Sequence, residues 1–322
     1  MANTTKTQIP DENASFYDRT LLTRAVPFLT YTKYAQIRDI PKNAGTSMIK
    51  FRRYGTLAAA TTPLSEGITP VGSQLSVTDI TATVAQYGDY ITLTDVVDMT
   101  SEDPVLMEAA EILGDQFGDT TDQLARNIFA AGTGVTYAAS AGTRVATVAG
   151  DKITGTLVKK VVRTMKNNKA RKMTKMVNPD SGYATAPIPA CYVAIVHPNT
   201  TYDLKDDTAF QPVEKYANKA NVMEGEVGAM DEVRFVESTN AKVFAGEGAA
   251  GIDVYGTIFF AMNGVGVTRI SGEAVKNIIK PLGSGGTTDP LNQRSTSGWK
   301  STFVAKILNQ DFIHRLEHGV TA

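Results

Sequence analysis

Residues 61–72 read TTPLSEGITPVG, a stretch with two prolines, two glycines and a single carboxylate. It lies between two segments rich in Thr, Val, Ile and Tyr. From Met48 to Leu57, and again from Leu75 to Val97, β-branched and aromatic residues dominate and apolar positions tend to recur every second residue. The three segments together predict a long hairpin-like excursion whose turn carries neither a nucleophile nor a metal ligand. In the second run the apolar phase moves from Leu75 and Val77 to Ile80, Ala82 and Val84, then to Ile91 and Leu93. A strand cannot change face without an extra residue, so bulges or bends are expected near Asp79 and Gly88.

The clearest helix follows. Ser101-Glu102-Asp103-Pro104 offers a cap, two acids at the positive end of the helix dipole and a proline suited to the first turn. Leu106, Ala110, Leu113, Phe117, Leu124 and Ile128 then form one apolar stripe, and Gly132-Thr133-Gly134 ends it. A second helix is expected from about Gly155 to Met176. Its Leu157, Val158, Val161, Val162 and Met165 face inward, and lysines and arginines cover the rest. Beyond it the pattern is α+β: a buried strand at Cys191–Val196, a short helix after Pro198, strands at 233–237, 242–245 and 255–262, and an extended run over 299–316. Gly225-Glu226-Val227-Gly228 reads as a turn, and 283–288 as a glycine-rich loop.

The 322 residues suffice for a sizeable core. Composition is ordinary, with 42% apolar and 20% charged residues and a net charge of -1, so it makes no whole-molecule case for nucleic-acid or membrane binding. Charge is nevertheless sorted along the chain. Residues 51–151 hold thirteen acids against four arginines, whereas Lys152 to Asn178 hold nine basic residues and no acid. The opening MANTTKTQIPDENASFYDRT lacks the apolar core of a signal peptide, and no apolar run reaches membrane-span length, so synthesis in the cytosol and no membrane partner are expected. Residues 1–45 read as an extended arm ordered by lying on something else.

Candidate chemistry is sparse. Cys191, the single cysteine, sits in the apolar run ACYVAIV and reads as a buried structural thiol. His314 and His318 are four apart but fall in a strand-like segment, where that spacing does not build a metal site. His197, before Pro198, reads as a turn histidine; paired with an acid from 203–207 it would suit a hydrolase. No nucleophile elbow, phosphate loop or dinucleotide fingerprint is present. The cationic face around Lys159, Lys160, Arg163 and Lys166 suits either an acidic protein surface or phosphates.

The order of parts (arm, two-stranded excursion, long helix, α+β body, final long strand) and the strings ATTPLSEGITP, QYGDYITLTD, AIVHPNT and DPLNQRSTSGWK closely resemble major capsid proteins of tailed bacteriophages. In particular the chain is similar to the family typified by the coat protein of coliphage N-four, which has the Hong Kong 97-type fold. The resemblance implies an arm at 1–47, an extended loop at 48–97 and a peripheral domain at 98–154 with its spine helix at 104–131. It implies further a mainly axial domain at 155–265 and return strands of the peripheral domain at 266–322. It also implies a non-enzymatic subunit without cofactors, assembled in the bacterial cytoplasm as hexamers and pentamers into an icosahedral virion shell around double-stranded DNA held without sequence specificity. Portal, scaffolding and decoration proteins are the implied further partners. Pro63, Glu66, Gly67 and Pro70 are the implied intersubunit contacts of the loop, and Lys159, Lys160, Arg163 and Lys166 the charge-contact or DNA-facing set. No lysine lies between Lys50 and Lys152, so the loop-lysine isopeptide crosslink of some relatives is not expected, nor is a fused scaffolding domain. A cellular nanocompartment shell of the same fold is the alternative of the same architecture, and an α+β hydrolase using His197 the alternative of another class.

Overall fold

The computed structural model describes residues 29–321 except 44, 56, 65, 70, 101–104, 141, 178–184, 217–221, 273–274 and 286–288. Most of the expected arm, the 101–104 cap and Pro70 thus lie outside the described residues. In chain order the elements are β1 (Gln36–Ile40), β2 (Met48–Tyr54), β3 (Val77–Thr83), β4 (Ala85–Thr94), α1 (Asp95–Thr100), α2 (Val105–Ala130), β5 (Val135–Tyr137), α3 (Gly155–Asn167), β6 (Met173–Val177) and β7 (Thr185–Val196). They continue with α4 (Pro198–Asp206), β8 (Gln211–Pro212), β9 (Glu226–Met230), β10 (Val233–Glu237), β11 (Lys242–Phe244), β12 (Val254–Phe260), β13 (Val265–Ile270), β14 (Val275–Lys280), β15 (Arg294–Ile307) and β16 (Ile313–His318).

The alternating segment after Ser76 forms two strands, and the change of face arises differently from the sequence expectation. β3 pairs antiparallel with β2 in unbroken register from Met48↔Thr83 to Tyr54↔Val77, so there is no bulge at Asp79. β4 pairs antiparallel with β15 in unbroken register from Thr94↔Arg294 to Ala85↔Phe303, so Gly88 carries no bulge either. The chain changes partner at Val84 instead. One strand leaves its hairpin and joins a different sheet, and the apolar phase resets with the new environment.

β15 organises a five-stranded sheet ordered β1-β13-β15-β14, with β4 also paired to it. Against this sheet lies α2, whose 26 residues span roughly 39 Å. Its buried face runs through Ala110, Leu113, Phe117, Ala125 and Phe129. Ile128, expected on that stripe, is exposed, because the inward face is taken by Phe129. Phe117 meets Trp299 of β15 edge-on at 5.2 Å, and the indole N–H donates to Gln116 Oε1 at 3.0 Å. Gly298 lets the strands approach: a Cβ there would lie 2.7 Å from the Cβ of Tyr90.

A nine-stranded sheet, β5-β16-β12-β7-β10-β9-β8 with β11 on β12 and β6 on β7, forms the rest. Because Cys191–Val196 of β7 is covered on both faces, that run is apolar throughout. Val193 and Ile195 pack with Phe129, Ile258 and Phe260 on one side, while Tyr192, Ala194 and Val196 pack with Val158, Val161 and Met165 of α3 on the other. α3 ends at Asn167, well short of the expected Met176. Two asparagines, weak helix formers, precede Lys169 in the left-handed region at φ 56°, and the Ala170 amide closes on the Met165 carbonyl at 3.0 Å. Met173 can then pair with Cys191. The supposed turn at 225–228 is a turn only at Gly225 (φ 74°); Glu226 already begins β9.

Candidate functional site

The β2–β3 ribbon is a sheet of its own, extended by the Gly55 amide bonding the Ser76 carbonyl at 2.9 Å. Beyond it, the described residues of 57–75 hold no helix or strand. Leu64 is 78% exposed, Ile68 69% and Val71 98%, and Met48, Tyr54, Leu57, Leu75 and Val77 are exposed as well. An apolar patch of this kind on a projecting segment marks a surface for another protein. Pro63, Glu66 and Gly67 are all exposed at the turn, and Gly67 takes φ 77°, which a side chain would oppose. A second exposed apolar group follows at Val96, Val97, Met99 and Ile112, on α1 and the outer side of α2.

The cationic face of α3 is partly answered within the chain. Lys166 and Lys172 each lie 2.7 Å from the Glu232 carboxylate, and Lys159 lies 3.9 Å from Asp231. These hydrogen bonds hold Glu232 below the usual carboxylate range and Lys166 above its ordinary value. Lys160 and Arg163 are exposed on the same helix. Asp231 and Glu232 both sit at positive φ in the β9–β10 turn.

Residues 29–34 are docked by one buried side chain. Asp122 of α2 accepts the Thr30 and Tyr31 amides at 2.8 Å each, capping from outside the short 3-10 helix Tyr31–Tyr34. Tyr31 and Tyr34 pack on Phe260. Burial outweighs those amide bonds and raises the Asp122 carboxyl to about 6.

The other titratable groups are embedded in the fold. His197 caps α4, its Nδ1 accepting the Asn199 amide at 3.2 Å, and its ring lies 5.1 Å from that of Tyr255. Two acids of the 203–207 segment are bound away from it. Asp203 accepts the Thr321 amide at 2.9 Å and meets Lys152 at 3.3 Å, and Asp207 caps the Gly155 amide at 2.8 Å. His314 Nε2 contacts Thr136 Oγ1 at 2.8 Å; His318 Nε2 contacts Thr257 Oγ1 at 3.0 Å, while its Nδ1 donates to the Gly319 carbonyl at 2.8 Å. Burial lowers both histidines to about 4. Cys191 is buried and its thiol is pushed up to about 11 by that burial.

A buried charge cluster went unread in the sequence. Glu317, wholly buried, receives Arg144 through Nε at 2.7 Å and Nη2 at 2.8 Å, and Arg315 Nε at 2.6 Å. Arg144 also pairs with Glu247 and lies 3.5 Å above the Phe244 ring. These residues are 173 positions apart at the widest, and no spacing rule connects them.

This architecture has the topology of the Hong Kong 97-type capsid fold. It is similar to the capsid of Ralstonia phage GP4 (12% identity, TM-score 0.70, covering 91% of this chain and 89% of that one). It is similar also to the Cyanophage Pam1 capsid (15%, 0.66, 94% and 93%) and to the head structure of Helicobacter pylori bacteriophage KHP40 (13%, 0.62, 89% and 88%). No curated protein matches by sequence. Residues 77–315 match the family described as phage capsid protein, and the chain belongs to that family. It is therefore a structural protein of the virion, a major capsid subunit that self-assembles into an icosahedral shell. The nanocompartment and hydrolase readings are not favoured.

Proposed function

We propose that the subunit assembles as hexamers and pentamers around double-stranded DNA, and that its 48–97 segment is the extended loop lying on the neighbouring subunit. The observation that carries this reading is the exposure of Leu64, Ile68 and Val71 at the end of a ribbon that has no core of its own. A free subunit gains nothing from such side chains; a second copy covering them gains their burial. Pro63 and Gly67 shape the contact and Glu66 supplies a polar anchor at its rim. In this reading 98–154 and 266–322 form the peripheral domain and 155–265 mainly the axial domain, and the subunit performs no catalysis. Lys160 and Arg163 are the members of the cationic set best placed for a charge contact with a neighbour or with DNA, since Lys159 and Lys166 face Asp231 and Glu232. Contacts between subunits are non-covalent at the loop, which has no lysine beyond Lys50 at its base. Deletion of residues 61–72 tests the reading. A folded subunit that forms no closed shells by negative-stain electron microscopy supports it, and normal shells from the deleted chain refute it.

A further inference from the structure

A recess of about 860 Å³ opens where the base of the ribbon meets the end of α3. Six basic side chains line it, Arg38, Lys50, Arg52, Arg53, Lys169 and Arg171. They come from β1, β2 and the α3–β6 connection, segments that only the fold brings together. Asp311 is the one carboxylate on the wall among the described residues, and Asp79 reaches Arg52 at 3.5 Å. Arg38, Lys50, Lys169 and Arg171 have no ion pair with any described carboxylate. The walls are fixed: Arg53 donates to Asn309 Oδ1, the Met262 amide bonds the Arg171 carbonyl at 2.9 Å, and the Leu308 and Asn309 amides bond the Gly264 carbonyl at 2.9 and 3.1 Å.

Lys169 makes the recess more than a chance of surface charge. It occupies the position just past the end of α3, at φ 56°, where glycine is the residue without conformational cost. Asn263, on the same wall, also has positive φ, at 60°. Left-handed backbone at a non-glycine residue persists where the surroundings impose it, and such positions cluster at binding sites. Here the backbone directs a cation into a space already lined by cations.

We propose that this recess binds the phosphate groups of a nucleic-acid strand. The identification rests on the capsid reading only for the source of the nucleic acid. An acidic segment of a second copy fits less well, because several described acids of the acid-rich region are engaged at home, and the exposed Glu66 and Glu108 offer only single charges to six basic side chains. Asp79 faces Arg52, Asp89 accepts from Gln116, Asp119 from Gln123 and Asn240, and Asp122 from two backbone amides. A phosphodiester backbone brings one negative charge per residue, closely spaced, and arginine forks and lysine ammoniums match its oxygens without reading a base.

The test uses full-length subunit and a fluorescein-labelled oligothymidylate of about twenty nucleotides, titrated by anisotropy at about 50 and 200 mM salt. Wild-type protein is expected to bind with a steep salt dependence. Lys169→Gly and the double variant Lys50→Gln/Arg171→Gln are expected to weaken binding on the order of tenfold per lost charge and to lower the salt slope by about one per lost contact. Lys169→Gly relieves the backbone, so its thermal midpoint should not fall and loss of fold cannot explain lost binding. Lys205→Gln, an exposed lysine on α4 outside the recess, should bind as wild type. Equal binding by all variants, an equal loss in Lys205→Gln, or inorganic tripolyphosphate binding more tightly than the oligonucleotide would overturn the proposal. So would recess variants that fail to assemble while still holding the oligonucleotide, which would assign the recess to a second copy. Electron microscopy of the wild-type protein reports the capsid reading separately.

Discussion

Acid is expected to weaken the free subunit through two histidines, against the pull of one carboxylate. His314 and His318 titrate near 4 in the fold and near 6.5 when unfolded, because burial excludes their charged form. Between those values the unfolded chain binds more protons than the native one. Their contribution is therefore complete above pH 6.5 and is lost as pH falls toward 4. Lowering pH from 7 to 4.5 removes roughly 2–3 kcal/mol for each, on the order of 5 kcal/mol for the pair. Asp122 acts in the opposite sense. Its carboxyl sits near 6 in the fold against 3.8 unfolded, so the native state takes up its proton first and regains ~2 kcal/mol over the same interval. The three groups together give a net loss of ~3 kcal/mol. Urea unfolding of unassembled subunit at pH 7 and 4.5 measures this. A His314→Gln/His318→Gln variant should lose ~5 kcal/mol less than wild type across the interval, and Asp122→Asn ~2 kcal/mol more. A double-histidine variant with the wild-type pH dependence would refute the reasoning.

Two other perturbations separate assembly from folding. Replacing Leu64, Ile68 and Val71 together by Ser should leave the urea midpoint of the free subunit unchanged, since all three are exposed. Burial of such side chains is worth ~1.5–3 kcal/mol each, so the concentration needed for shell formation, followed by light scattering, should rise at least a hundredfold. Glu317→Gln leaves Arg144 and Arg315 facing a neutral group, and breaking a buried pair of this kind should cost the subunit ~3–5 kcal/mol in urea unfolding.

Local physics made much of the fold legible. The stripe from Ala110 to Phe117, the doubly covered Cys191–Val196 run and the Pro198 helix start are written in neighbouring residues, and the structure places each where its pattern points. Partner exchange at Val84 is not legible as such, and the bulges expected beside it are absent, because a change of apolar phase reports a new environment, not its cause. The early stop of α3 was missed because lysine at Lys169 gives no helix-ending signal, although its backbone adopts the conformation of one. The loop showed itself as a β-rich excursion without chemistry. The Arg144–Glu317 cluster and the basic recess assemble residues from distant segments, and neither exists until the chain has folded.

The central claim is that the described residues of 55–76 are uncovered in one subunit and covered by another in the shell. Hydrogen–deuterium exchange of this segment, compared between unassembled subunit and purified particles, addresses it directly. The account predicts rapid exchange in the free chain and strong protection in particles, with the α2 core equally protected in both. Equally rapid exchange of 55–76 in intact shells would contradict it.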